Sequence, residues 1–455
     1  MTSTVAAPAR DSRWRLVQFG LGLILLESIA LALHDRWDAD YAFVAAALLG
    51  GGVYLLAVRA IVRSGQRAGM FAIVVGFAVI FRLLLLGGPT IHSSDAYRYV
   101  WDGRVQSAGI NPYRHKPIDQ AVAHLRDEAV YPHINRADYA VTIYPPVAQM
   151  AFRLFHFLGD SLLGLKLGFL ALEGLAMWVL VRLLVTLGRP PEQLLLYAWH
   201  PLPIWEIAGD GHVDAGMMIL LVVALWASTS GRRLLTGALL AGSVLFKPAT
   251  IAALPAFWRP WDWRAPLAFS LAAVAAYVPY LDVGAGVIGF LIPYTGEEGL
   301  GDGRGFFLLA LLARLLGSLP AHAYQAYLVA AGLILGGLAL AAVRDPRRDL
   351  APITRQAQWL LFAFLLLLSP NYPWYFLVLV PFVCLAPWPP AIALTLTAVV
   401  LYTAPPIDGE PEAFFAQAAL HAVVTVVFAI ELYRRWKRTD NTPESVHRNR
   451  PHERR

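Results

Sequence analysis

The first residues able to do chemistry lie in a polar stretch from His92 to Tyr113, which follows three long apolar runs. Asp95 and Asp102 stand seven residues apart, so on a helix both project from one face, with Arg98 between them. Ser93 or Ser94 can cap the start of that helix, and Asp95 suits the positive end of its dipole. Gly109 and Asn111-Pro112 end it. The carboxylates can take a proton, and Arg98 or Arg104 can hold an anion. The same residues would equally make a solvated helix laced with ion pairs.

Four later clusters offer partners. Glu206, Asp210, His212 and Asp214 come in close succession, and His212-x-Asp214 suits a metal-ligand pair, an acid/base pair or two helix caps. Lys247 interrupts an apolar stretch at Phe246-Lys247-Pro248. A lysine within a membrane span costs roughly 2.5–3.5 kcal/mol, so it should face a cavity or a partner, and a phosphate is one it can bind as a point charge. Arg304 lies in a glycine-rich segment, 284–305, that reads as a lid, and is either a phosphate ligand or a solvated charge. Trp374 and Tyr375 follow the helix break Ser369-Pro370, where they suit a sugar face, a lipid contact or an interfacial belt.

The elements that must position these residues are membrane spans. A chain of 455 residues that is 58% hydrophobic and 15% charged is not a soluble globule. Apolar runs of spanning length are expected at 16–34, 41–62, 69–87, 160–187, 191–208, 214–230, 265–283, 323–343, 356–370, 374–387, 389–404 and 412–433. A further hairpin of half-length helices at 234–258 brings the crossings to about fourteen. The fold class is therefore an all-α integral membrane bundle of about 11–14 transmembrane helices, a single domain over 1–435 with a basic, disordered tail over 436–455. Its polar loops are 88–146 and 284–322. The first can hold a second helix near Gln120–Glu128 and is followed by a short apolar run, Val147–Leu158, that reads as interfacial.

Arginines at 10, 13, 15, 59, 63, 67, 232, 233, 259, 264, 344, 347, 348 and 355, with those of the tail, fall on one side by parity. That side is the cytoplasm, so both termini are cytoplasmic and the His92–Tyr113 stretch faces outward. The net charge of +6 reflects this topology and contact with membrane lipids, with no nucleic-acid partner. The single cysteine, Cys384, excludes an intramolecular disulfide. Ala30-Leu31-Ala32 faintly resembles a signal-peptidase site, but Glu27 breaks the apolar run, which reads as a retained anchor.

The pattern resembles the GT-C superfamily of multispanning glycosyltransferases, and within it the bacterial mannosyltransferases of the glycosyltransferase family 87 and lipoglycan-elongating types. Asp95-x-Tyr97-x-Tyr99, Gly109-x-Asn111-Pro112-Tyr113, Tyr144-Pro145-Pro146, Gly211-His212-Val213-Asp214-Ala215, Lys247-Pro248 and Ser369-Pro370 with Pro373-Trp374-Tyr375 carry it. The resemblance implies an inverting enzyme of the cytoplasmic membrane that takes a hexose, mannose first, from a polyprenyl-phosphate donor to a lipid- or glycan-linked acceptor. Asp95 would be the catalytic base, with Asp102 or His212 in reserve. Arg98, Arg104, Lys247 and Arg304 would meet the donor phosphate. Tyr97, Tyr99, Asn111, Tyr113, Tyr144, Asp214, Trp374 and Tyr375 would contact substrate. The activated donor requires no cofactor; a divalent metal could sit among Asp95, Asp102 and Asp214, although spacing does not demand one. Where the related motif often reads His-Asn-Asp, this chain has His212-Val213-Asp214. A transporter or flippase of lipid-linked sugars, or a ligase of whole glycans, are the competing readings.

Overall fold

The computed structural model describes residues 9–34, 39–64, 68–403 and 411–440. Among them the chain is helical throughout, with no strand. Among the described residues seven helices are long and apolar enough to cross a membrane, and seven shorter apolar ones run 10–17 residues. The basic tail expected to be disordered lies mostly outside the described residues.

Helices α1 (Ala9–His34) and α2 (Ala39–Ser64) pack side by side and lead into α3 (Met70–Leu86). The polar stretch then forms α4 (Asp95–Ser107). It starts at Asp95; Ser94 at the N-cap makes no side-chain cap hydrogen bond, and Ser93 Oγ accepts from the Asp95 amide at 3.2 Å in a local turn before the helix. Helix α5 (Pro146–His156) is amphipathic: Phe152 and Phe155 are buried while Met150 and Leu154 are exposed, a shape suited to a membrane interface. Gly103 lets α4 and α5 touch, because a Cβ there would lie 2.5 Å from the Phe152 carbonyl oxygen. Helix α6 (Leu162–Thr186) spans behind them.

Two charges on α6 explain how α3 and the start of the first polar loop are held. Glu173 pairs with Arg82 of α3 at 2.6 Å and accepts from Tyr197 at 3.2 Å. Lys166 Nζ donates to the Gly88 and Pro89 carbonyls at 2.8 and 3.3 Å, pinning the start of the loop to the bundle. Buried charges survive only when paired or hydrogen-bonded, and both are.

Three expectations need correction. Residues 191–208 are not one span but short pieces, Pro191–Leu194, Leu195–Ala198, Pro201–Pro203 and Ile204–Gly209, because prolines at 190, 191, 201 and 203 remove helix donors. The segment Gln120–Leu125 is a tight 3₁₀ turn rather than an α-helix. The glycine-rich segment after residue 284 contains two helices, Leu291–Glu297 and Phe307–Leu316, and is docked rather than loose. Its Phe290 amide donates to Thr142 at 3.0 Å, and Gly289, at φ +63°, lies where any Cβ would strike the Thr142 carbonyl. Arg136 and Tyr139 of the first loop both donate to Glu297, at 2.7 and 3.0 Å. The hairpin forms as expected, Arg233–Val244 returning through Pro248–Phe257 with Lys247 at its tip.

Candidate active site

Asp95 opens on a cavity of about 470 Å³ walled also by Lys247, Tyr144, Asn135, Trp374 and Tyr375. Its carboxylate is held by neutral donors: Asn135 Nδ2 at 2.6 Å to one oxygen, Tyr144 OH at 3.0 Å to the other, and Tyr99 OH at a long 3.5 Å. No cation among the described residues pairs with it. Burial, with the Asp95 charge alongside, holds the Tyr144 phenol far above its ordinary value, so Tyr144 stays a donor. A carboxylate fixed by neutral donors leaves a lone pair that can receive an incoming proton.

Asp102 faces the opposite fate on the same helix. Arg98 Nε donates to it at 3.0 Å and Gln149 Nε2 at 2.9 Å, and only 1% of the residue is exposed. The remaining Arg98 nitrogens donate to the Ala140 carbonyl, so this arginine, although it borders the cavity, is committed to structure. Arg104 is not among the cavity's walls. It ties Asp127 at 2.6 Å, Asp160 at 2.8 Å and the Leu125 carbonyl at 2.9 Å, fastening the loop to α4. Partial burial pushes Asp127 the other way, but Arg104 and the Val130 amide hold its carboxyl below the ordinary value.

Lys247 does reach the cavity. Its ammonium sits 2.8 and 3.0 Å from the two Asp214 oxygens and 4.4 Å from the centre of the Tyr375 ring. Tyr375 in turn meets Tyr294 OH at 3.0 Å. His212 is buried behind this wall, stacked on Trp374 at 4.3 Å, with Nε2 3.4 Å from Glu206. Arg304 lies in a neighbouring cavity of about 840 Å³, paired to Asp302 at 2.6 Å. The two cavities share Arg136 and Tyr372.

Of the tyrosines expected to touch substrate, Tyr99, Tyr144 and Tyr375 border the Asp95 cavity, and several also brace the site. Tyr97 packs on His133, Tyr99 stacks on Phe152, and Tyr113 donates to the Tyr144 carbonyl at 2.7 Å. Asn111 accepts from the Tyr113 amide and donates to Asp282 and the Tyr280 carbonyl, so its motif clamps the first polar loop to the segment around 280. Asp95, Asp102 and Asp214 each have separate partners and form no metal cluster. Among the described residues the group with metal-ligand spacing is Glu206, Asp210 and His212.

Asn135 and Arg136 were not anticipated. Asn135 follows Tyr131-Pro132-His133 with nothing in its surroundings to mark it. Arg136 adopts φ 55°, a strained backbone visible only in three dimensions.

A family model described as alpha-(1->6)-mannopyranosyltransferase, N-terminal domain, matches residues 21–261, more than half of the chain and all of the segments bearing Asp95, His212 and Lys247. The chain belongs to this family. It is 25% identical over 420 residues to alpha-(1->6)-mannopyranosyltransferase A of Mycobacterium tuberculosis, covering 82% of this chain and 75% of that protein. No solved structure matches it. The protein is therefore a membrane glycosyltransferase of mannosyltransferase type, in line with the resemblance carried by its motifs. The transporter reading is set aside.

Proposed function

We propose that the transferase moves mannose from a polyprenyl-phosphate donor to a lipid- or glycan-linked acceptor, with inversion, at the outer face of the cytoplasmic membrane, both termini lying in the cytoplasm. The observation that carries this reading is Asp95, poised by Asn135 and Tyr144 in a cavity that Lys247 shares. Asp95 takes the acceptor hydroxyl proton as that oxygen bonds to the anomeric carbon, while the bond from that carbon to the phosphate oxygen breaks. The leaving phosphate keeps the electron pair and gathers charge beside Lys247. The name of the mycobacterial relative supports mannose and an α-(1→6) linkage, and the side bias of the arginines supports the outward orientation.

Two neighbouring spaces support the division of substrates. The 840 Å³ cavity is lined by Glu298, Asp302 and Arg304, acceptors and donors suited to sugar hydroxyls. A third cavity of about 560 Å³, almost wholly apolar, shares Ile251 with the Asp95 cavity and suits a polyprenyl tail.

The test is transfer of labelled mannose by full-length protein in liposomes, with polyprenyl-phosphate mannose or a nucleotide-linked mannose as donor. Transfer from the lipid donor alone, abolished in Asp95→Asn, is expected. Transfer from the nucleotide donor, full activity of Asp95→Asn, or passage of donor across the bilayer without a glycosidic product would overturn the proposal.

A further inference from the structure

Behind the Asp95 cavity lies a second polar cluster that the transfer reaction does not use. Glu206, Asp210 and His212 each present one ligand atom, all within 4.8 Å of one another, and none of the three residues is more than 1% exposed. Local backbone brings them together. Ile204–Gly209 is a π turn, a form that concentrates at functional places, and Gly211 at φ +69° reverses the chain so that His212 points back at Glu206.

Each carboxylate is anchored through one oxygen only. Tyr402 OH donates to Glu206 Oε1 at 2.5 Å. The Ile91 and His92 amides donate to Asp210 Oδ1, the latter at 3.1 Å. Glu206 Oε2, Asp210 Oδ2 and both His212 ring nitrogens have no hydrogen-bond partner, although all are buried. Leaving such groups bare costs roughly 1–3 kcal/mol each, more for charged ones. Ligating carboxylates fixed by outer donors through their other oxygen are what a metal centre requires.

We propose that Glu206, Asp210 and His212 bind a divalent transition ion. Two carboxylates and a neutral imidazole carry two negative charges, which a dication balances. The imidazole nitrogen favours zinc or manganese over calcium or magnesium, which prefer oxygen alone. His92 Nδ1 lies 3.7 Å from Asp210 Oδ2, a further imidazole beside the cluster, and His92 borders the Asp95 cavity, which gives the ion a way in. None of the three ligands lines that cavity, so the ion positions rather than reacts. It ties the π turn to the residues that lead into α4 and holds His212 beneath Trp374.

The test uses full-length protein in detergent, stripped with a chelator and reloaded with Zn²⁺ or Co²⁺. Metal analysis should find about one ion per chain, and Co²⁺ should give visible d–d bands. Tyr402→Phe removes only the donor behind Glu206 and should weaken binding by about 10–100-fold. Glu206→Gln with His212→Ala should abolish it, while Glu128→Gln, an exposed carboxylate elsewhere, should leave the metal content and the Co²⁺ bands unchanged. A folded wild type that gives no Co²⁺ bands, or that holds no more metal than the double variant, would overturn the proposal and leave a cluster that shares protons instead. Because the wild-type spectrum decides by itself, a variant that fails to fold does not blunt the test.

Discussion

The two ends of α4 carry the same side chain to different ends. Asp95, at the first turn, meets Asn135 and two tyrosines and faces a cavity; Asp102, two turns later, is locked between Arg98 and Gln149. Periodicity places both on one face, and that face crosses the boundary between the open site and the packed seam against α5. A carboxylate next to a cation and an amide in a dry seam stabilises the fold. One held by neutral donors at a cavity wall remains available to substrate. The difference lies in the second partner, which comes from elsewhere in the chain.

That contrast can be broken by experiment. Asp95→Asn should lower the transfer rate by about 10²–10⁴-fold, the usual yield of a general base, while leaving the thermal unfolding midpoint nearly unchanged. A variant that keeps its rate would move the base elsewhere. Asp102→Asn should do the reverse. Removing one partner of a buried pair costs about 3–5 kcal/mol, visible as a lower unfolding midpoint, with near-normal turnover in the folded fraction. Equal loss of turnover in both variants would erase the distinction.

Tyr144→Phe sharpens the Asp95 half alone: losing one donor to the carboxylate should lower kcat by about tenfold, near 1.4 kcal/mol, with KM little changed. The smallest effect is expected at Asp127→Asn, which loosens Arg104 where the carboxylate is largely exposed. It should cost about 0–1 kcal/mol of stability. The folded carboxyl lies below its ordinary value, so this contribution is present above the unfolded value and fades as pH falls through the folded one. A pH titration of unfolding, wild type against variant, should converge at the acid end.

Much of this was legible from residue order. The start of α4 near Asp95, the hairpin tip at Lys247 and the amphipathic character of α5 follow from a change in polarity, a proline and an apolar stripe, which act within a few residues. Arg98, Arg104 and Arg304 show the limit. Residue order shows their charge but not the carboxylates that pair with them, nor that Lys247 is paired to Asp214. Glu173 and Lys166 show it from the other side, since their partners Arg82 and Gly88 lie far off in sequence.

By itself, then, the sequence determined a helical membrane protein, its long polar stretch after three apolar runs and the helix that begins near Asp95, because hydropathy and helix-start and helix-stop signals are local. Only the tertiary structure decided which carboxylate is open, that Lys247 stands opposite it on Asp214, and that Glu206, Asp210 and His212 converge. Those outcomes depend on which segments meet across the bundle. Burial and pairing there, rather than residue type, set what each charge can do.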